Sequence, residues 1–155
     1  MIPKFRAWHN ELGRMMSISD MWFNVDSLGE IGLNDAVMND YITVSPDEIE
    51  LMQSTGLFDK NGKEVFEGDI IQTSAFACIV GFGEYTYIGD RNTLETEIGF
   101  YLSFLNIKPA TYAPFDKYYW DNCEVIGNIH ENELDLIMYE VSKFNKEIED
   151  ETRTN

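Results

Sequence analysis

Positive charge is scarce in this chain: 11 Lys and Arg stand against 28 Asp and Glu, a formal net charge of −17. Between residues 15 and 59 there is no Lys or Arg, while Asp20, Asp26, Glu30, Asp35, Asp40, Asp47, Glu48, Glu50 and Asp59 all fall there. Phosphate backbones and anionic membrane surfaces are normally met with Lys and Arg. Direct nucleic-acid binding and membrane binding are therefore disfavoured. The acidity suits a solvated surface first, then a basic protein partner, then occupation of a DNA-binding protein's site by mimicry of its ligand.

Cysteine and histidine are almost as scarce. Cys78 and Cys123 stand alone in strand-like surroundings, Phe76-Ala77-Cys78-Ile79-Val80 and Asn122-Cys123-Glu124-Val125. They read as reduced structural thiols of a cytoplasmic protein. Met1-Ile2-Pro3-Lys4 is not followed by the apolar core of a secretion signal, and no apolar run approaches membrane-spanning length. Only His9 and His130 could serve as bases near neutral pH, and they lie towards opposite ends of the chain. No Ser-His-Asp order, HExxH or CxxC is present, and Gly81-Phe82-Gly83 lacks the lysine and following helix of a phosphate loop. The expectation is a protein that is not an enzyme. No catalytic, cofactor-binding or metal-binding residue is nominated, and no cofactor is expected.

What the sequence does have is turn chemistry. Residues 51–69, LMQSTGLFDKNGKEVFEGD, are the densest example. Ile49, Leu51 and Gln53 alternate with Glu50, Met52 and Ser54, the period of two of a half-buried strand. Asn61-Gly62 is then a strong hairpin signal, since both residues tolerate positive φ. Asp59, Asn61, Glu64, Glu67 and Asp69 offer oxygen ligands, but counted from Asp59 the fifth position is Lys63 and the sixth Glu64. A calcium loop needs an oxygen at the fifth and glycine at the sixth, so the stretch reads as a turn.

Elsewhere, residues 3–18 read as a hairpin, 24–34 as a loop containing Gly29 and Gly32, and 41–44 as a strand. Ser45-Pro46-Asp47-Glu48 reads as a tight turn. The apolar run 70–82 is expected to bend at Gly81 and Gly83. Ile98, Phe100, Leu102 and Phe104 mark a strand, 108–116 a loop, and 123–129 the last strand. Tyr85, Tyr87, Tyr101, Tyr112, Phe115, Tyr118, Tyr119 and Trp120 crowd the second half. They read as core filling, the alternative being a groove for a peptide or an aromatic-caged cation. Leu134, Ile137, Met138, Val141, Phe144 and Ile148 then fall at helical spacing.

The stretch LMQSTGLFDKNGKEVFEGDII, the opening IPKFRAWHNELGRMM and the closing VIGNIHEN together resemble the YopX family of phage and prophage proteins. The resemblance implies a mostly β protein encoded by a bacteriophage or prophage of a Gram-positive bacterium, and implies no activity. Family members often place proline after the final Glu-Asn, where this chain has Glu133.

The expected fold is mainly β, a small antiparallel β-barrel or bent-sheet assembly with a C-terminal α-helix. Residues 1–131 would form the β-rich domain, with the N-terminal hairpin at 3–18 and a barrel-like core over about 49–131. Residues 132–149 would be the amphipathic helix and 150–155 a disordered tail. The leading functional expectation is an accessory protein acting in the host cytoplasm by binding another protein, or by assembling as a homo-oligomer. The alternative is a regulator that binds nucleic acid or mimics DNA.

Overall fold

The computed structural model describes residues 2–73, 76–132 and 134–154, with only some side chains of the last helix. The chain divides into two compact units, 1–56 and 57–155.

In the first unit, β1 (Phe5–His9), β2 (Arg14–Phe23), β3 (Leu28–Asp35), β4 (Asp40–Val44) and β5 (Ile49–Phe58) form an antiparallel sheet in the order β4-β3-β2-β1-β5. Ala7, Met16, Ile31, Leu33, Val44 and Ile49 form its core. The N-terminal hairpin is as expected, and β2 continues to Phe23 past a register shift between Ile18 and Asp20. The loop expected at 24–34 is a correction, because β3 begins at Leu28 and buries Ile31 and Leu33 completely. Gly32 misled the reading as a breaker. It sits mid-strand because the Tyr41 hydroxyl reaches across it to donate to Asp20 at 3.0 Å, in space a Cβ would occupy. Pro46–Glu48 form one 3-10 turn, and the Glu48 carboxylate accepts the Ser45 N–H at 2.7 Å.

In the second unit the last two residues of β5 lead into the 59–63 turn. There follow β6 (Glu64–Phe66), β7 (Asp69–Thr73), β8 (Phe76–Ile88), β9 (Leu94–Phe104), β10 (Tyr112–Pro114), the one-turn helix α1 (Lys117–Trp120), β11 (Glu124–Asn128) and α2 (Leu134–Thr154). The sheet order is β10-β9-β8-β7-β11, all antiparallel. Val65, Ile71, Cys78, Val80, Leu102, Phe115 and Cys123 form the core. Mainly β with two antiparallel sheets and a C-terminal helix is therefore the architecture. Neither sheet closes into a barrel among the described residues.

Three boundaries differ from expectation. Gly81 and Gly83 do not bend β8 out of its ladder, since Gly83 stays in register opposite Gly99. Part of the expected 108–116 loop is β10, whose short edge position tolerates Pro114. The helix continues through Thr154, because no glycine or proline interrupts 134–154, so residues 150–154 of the expected tail are helical. α2 contacts β8 and buries Ile137, whereas Ile148 is exposed, so the expected apolar stripe is not buried along its length. The side chains of Leu134, Met138, Val141 and Phe144 lie outside the described residues.

Candidate binding surface on the β8–β9 ribbon

The sequence motifs resolve into structural devices. The Asp59 Oδ1 accepts the N–H groups of Asn61 and Lys63, each at 2.9 Å, and its Oδ2 accepts Val125 N–H at 2.9 Å. Burial alone would raise the Asp59 pKa. The three backbone donors outweigh it and hold the carboxyl below its ordinary value. Asn128 acts likewise: its Oδ1 accepts from His130 and Glu131, while its N–H donates to Asn132 Oδ1 at 3.1 Å. The oxygens weighed above as calcium ligands are in part occupied by the chain's own amides, and Asp69, almost wholly buried, accepts Phe66 N–H at 2.8 Å.

The titratable candidates are similarly engaged. His9 is buried in the first unit, where its Nδ1 accepts Leu12 N–H at 3.0 Å, and His130 belongs to the second unit. Among the described residues no group of three His, Cys, Asp or Glu side chains could hold a metal ion. Cys78 and Cys123 are free and buried in one core cluster. Burial pushes their thiols up to about 12 and about 11.

In the second unit the long β8–β9 hairpin offers an exposed surface. β7 pairs with β8 from Phe76 to Ile79, and β10 pairs with β9 from Tyr101 to Ser103. Beyond those contacts the strands pair with each other to Ile88 and Leu94. Among the described residues, the distal hairpin is thus a two-stranded ribbon with both edges open. Period-two alternation gives it two unlike faces.

One face continues the core. Cys78, Val80 and Leu102 are buried, and the same face runs on through Phe82, Phe100, Ile98, Ile88 and Leu94. There the burial stops. Leu94 and Ile98 are each 77% exposed, and Ile88 and Phe82 are exposed with them. Thr86 and Thr96 bridge the strands at 2.9 Å, and Glu84 is the only charge on this face of the ribbon.

The opposite face carries tyrosines and carboxylates. Tyr85 and Tyr87 stand opposite Glu97 and Glu95. The Tyr85 hydroxyl donates to Glu97 at 3.0 Å, and the Tyr87 hydroxyl donates to Glu95 and Glu97 at 2.9 Å each. Burial, then the Glu97 hydrogen bond, pushes the Tyr85 phenol up to about 12. For Tyr87 the hydrogen bonds to Glu95 and Glu97 raise it first. Tyr101 stacks on Tyr85 at 5.1 Å and meets Tyr112 edge-on at 5.8 Å. The space for this is glycine-made, since a Cβ on Gly81 would lie 2.5 Å from the Tyr101 ring.

A cavity of about 460 Å3 adjoins the tip of this face. Tyr87, Tyr112 and Tyr119 wall it with Asp90, Glu95 and Asp116, and Arg91 also lines it. No site residue was nominated from the sequence, and the ribbon was missed because the glycines suggested a bend. The alternation of Tyr85 and Tyr87 with Glu84 and Thr86 was the available signal. The aromatics expected as core filling are divided: Phe115 and Tyr85 are buried, but Tyr112 and Tyr118 are exposed.

Residues 4–136, most of the chain, match the family described as YopX protein. Among solved structures the chain is similar to protein EF1440 from Enterococcus faecalis, at 26% identity and a TM-score of 0.53, over 85% of this chain and 96% of that one. No curated protein matches it. Among the described residues no helix is long and apolar enough to cross a membrane.

Proposed function

The chain belongs to the YopX family, and we propose that it is a phage-encoded accessory protein that works in the bacterial cytoplasm without catalysis, by binding another protein. The observation that carries this reading is the ribbon. A sheet face that is core at Val80 and Leu102 continues as exposed apolar side chains at Phe82, Ile88, Leu94 and Ile98. Exposed apolar side chains beside open strand edges are how β proteins receive partners, through side-chain burial and added backbone pairing. A lone two-stranded hairpin is marginal in water, and a partner covering it would also stabilise it.

The net charge of −17 opposes stacking a second copy and favours a partner with the opposite sign. The same charge speaks against nucleic acid as the ligand. The test is affinity capture from a bacterial lysate by the wild-type chain and by Leu94→Asp/Ile98→Asp, with light scattering on each. The reading expects proteins held by the wild type and lost by the variant. Identical captures would contradict it, and a wild type that is dimeric only when Leu94 and Ile98 are intact would replace the partner with a second copy.

A further inference from the structure

The apolar face alone does not use the other side of the ribbon, which is built from different chemistry. We propose that the cavity at the ribbon tip takes a cationic side chain, Lys or Arg, presented by a basic segment of the protein partner. This rests on the partner-binding reading and deepens it.

Three observations converge there. The cavity, about 460 Å3, falls within the roughly 300–1,000 Å3 of ordinary ligand pockets and has room for a long side chain with its stem. Its walls combine the rings of Tyr87, Tyr112 and Tyr119 with the carboxylates of Asp90, Glu95 and Asp116, against one guanidinium, Arg91. Ring faces attract cations through their quadrupole, and carboxylates add direct charge. An anionic ligand would meet three carboxylates against a single guanidinium.

The hydrogen bonds set its polarity. The Tyr87 hydroxyl donates to Glu95 and Glu97, so its proton is committed to these carboxylates and its oxygen can still accept. The carboxylates keep lone pairs for a donor arriving from outside, because an ionised carboxylate accepts more than one bond. A cation supplies such donors, and a charge of −17 on the whole chain draws it in.

The test uses the full chain and fluorescein-labelled octa-arginine, titrated by fluorescence polarisation at about 0.15 M salt, where long-range attraction is largely screened. Glu95→Gln keeps an acceptor for Tyr87 and removes one charge, and Tyr87→Leu removes a ring with no change of charge. Each is expected to weaken binding about tenfold. Tyr87→Phe, which keeps the ring, should stay within about threefold of wild type, and Asp26→Asn, an exposed charge in the other unit, should change nothing. Equal weakening by Asp26→Asn and Glu95→Gln would overturn the proposal, leaving only general attraction between opposite charges. So would unchanged binding by Tyr87→Leu. If the cavity variants have no effect while Leu94→Asp/Ile98→Asp still loses the captured protein, the cavity fails and the partner-binding reading stands. If the capture does not depend on Leu94 and Ile98, that reading fails by itself.

Discussion

The carboxylate of Asp59 accepts the backbone N–H of Val125 at 2.9 Å, across 66 residues of sequence. That bond joins two of the three stretches that carry the family resemblance, at the turn 59–63 and the strand 124–128. Lys60 N–H adds a second link to the Cys123 carbonyl at 3.0 Å. Those two motifs are thus parts of one structural joint.

Removing that joint has a measurable cost. Asp59→Asn leaves one carbonyl oxygen where two oxygens served three donors, so at least one N–H loses its partner. Leaving such a group unpaired costs about 1–3 kcal/mol, readable as a lower melting temperature. The pH dependence follows from the lowered pKa of Asp59. A carboxyl depressed in the folded state contributes stability above its unfolded value, about 3.9, and loses it as pH falls through the folded value. Wild-type stability should therefore decline more steeply than that of Asp59→Asn as pH falls below about 4.

Gly62 tests the turn. Its φ is +81°, and a Cβ there would meet nothing within 4 Å. The cost of substitution is therefore conformational and not steric. Gly62→Val should destabilise by on the order of 1–3 kcal/mol, and Gly62→Asn by much less, since Asn tolerates the left-handed region. Equal melting temperatures for Gly62→Val and wild type would contradict this.

Gly81 tests the tyrosine face. Gly81→Ala places a Cβ 2.5 Å from the Tyr101 ring, and the ring must leave its stack on Tyr85. Stability should fall by about 1 kcal/mol, the lower end for overpacking, because an aromatic side chain can swing. The near-ultraviolet circular dichroism of the tyrosines should change clearly.

Both thiols should be silent in the native state. Cys78 and Cys123 are fully buried and their pKa values stand at about 12 and about 11, so almost no thiolate is present at neutral pH. A thiol-reactive disulfide reagent should modify neither in buffer and both in denaturant.

Much of this fold was legible because local chemistry agreed with it. Asn61-Gly62, the Ile49 alternation and the Ser45-Pro46-Asp47-Glu48 turn each carry their geometry in a few residues. β3 was not legible, because Gly29 and Gly32 look like breakers until the Asp20–Tyr41 hydrogen bond across Gly32 is seen. The binding surface was hidden for a related reason. Exposure of Ile98 and Leu94 depends on where the neighbouring strands β7 and β10 stop, which no residue of β8 or β9 records.

The claim that partner binding belongs to the distal ribbon is tested most directly by hydrogen–deuterium exchange of the full chain, free and in complex with its captured protein. Protection on binding is predicted for the amides of residues 82–98, whose outer edges lack ladder partners in the free chain. Protection confined to the first unit, for instance around exposed Trp22 and Phe23, with residues 82–98 exchanging as before, would contradict it.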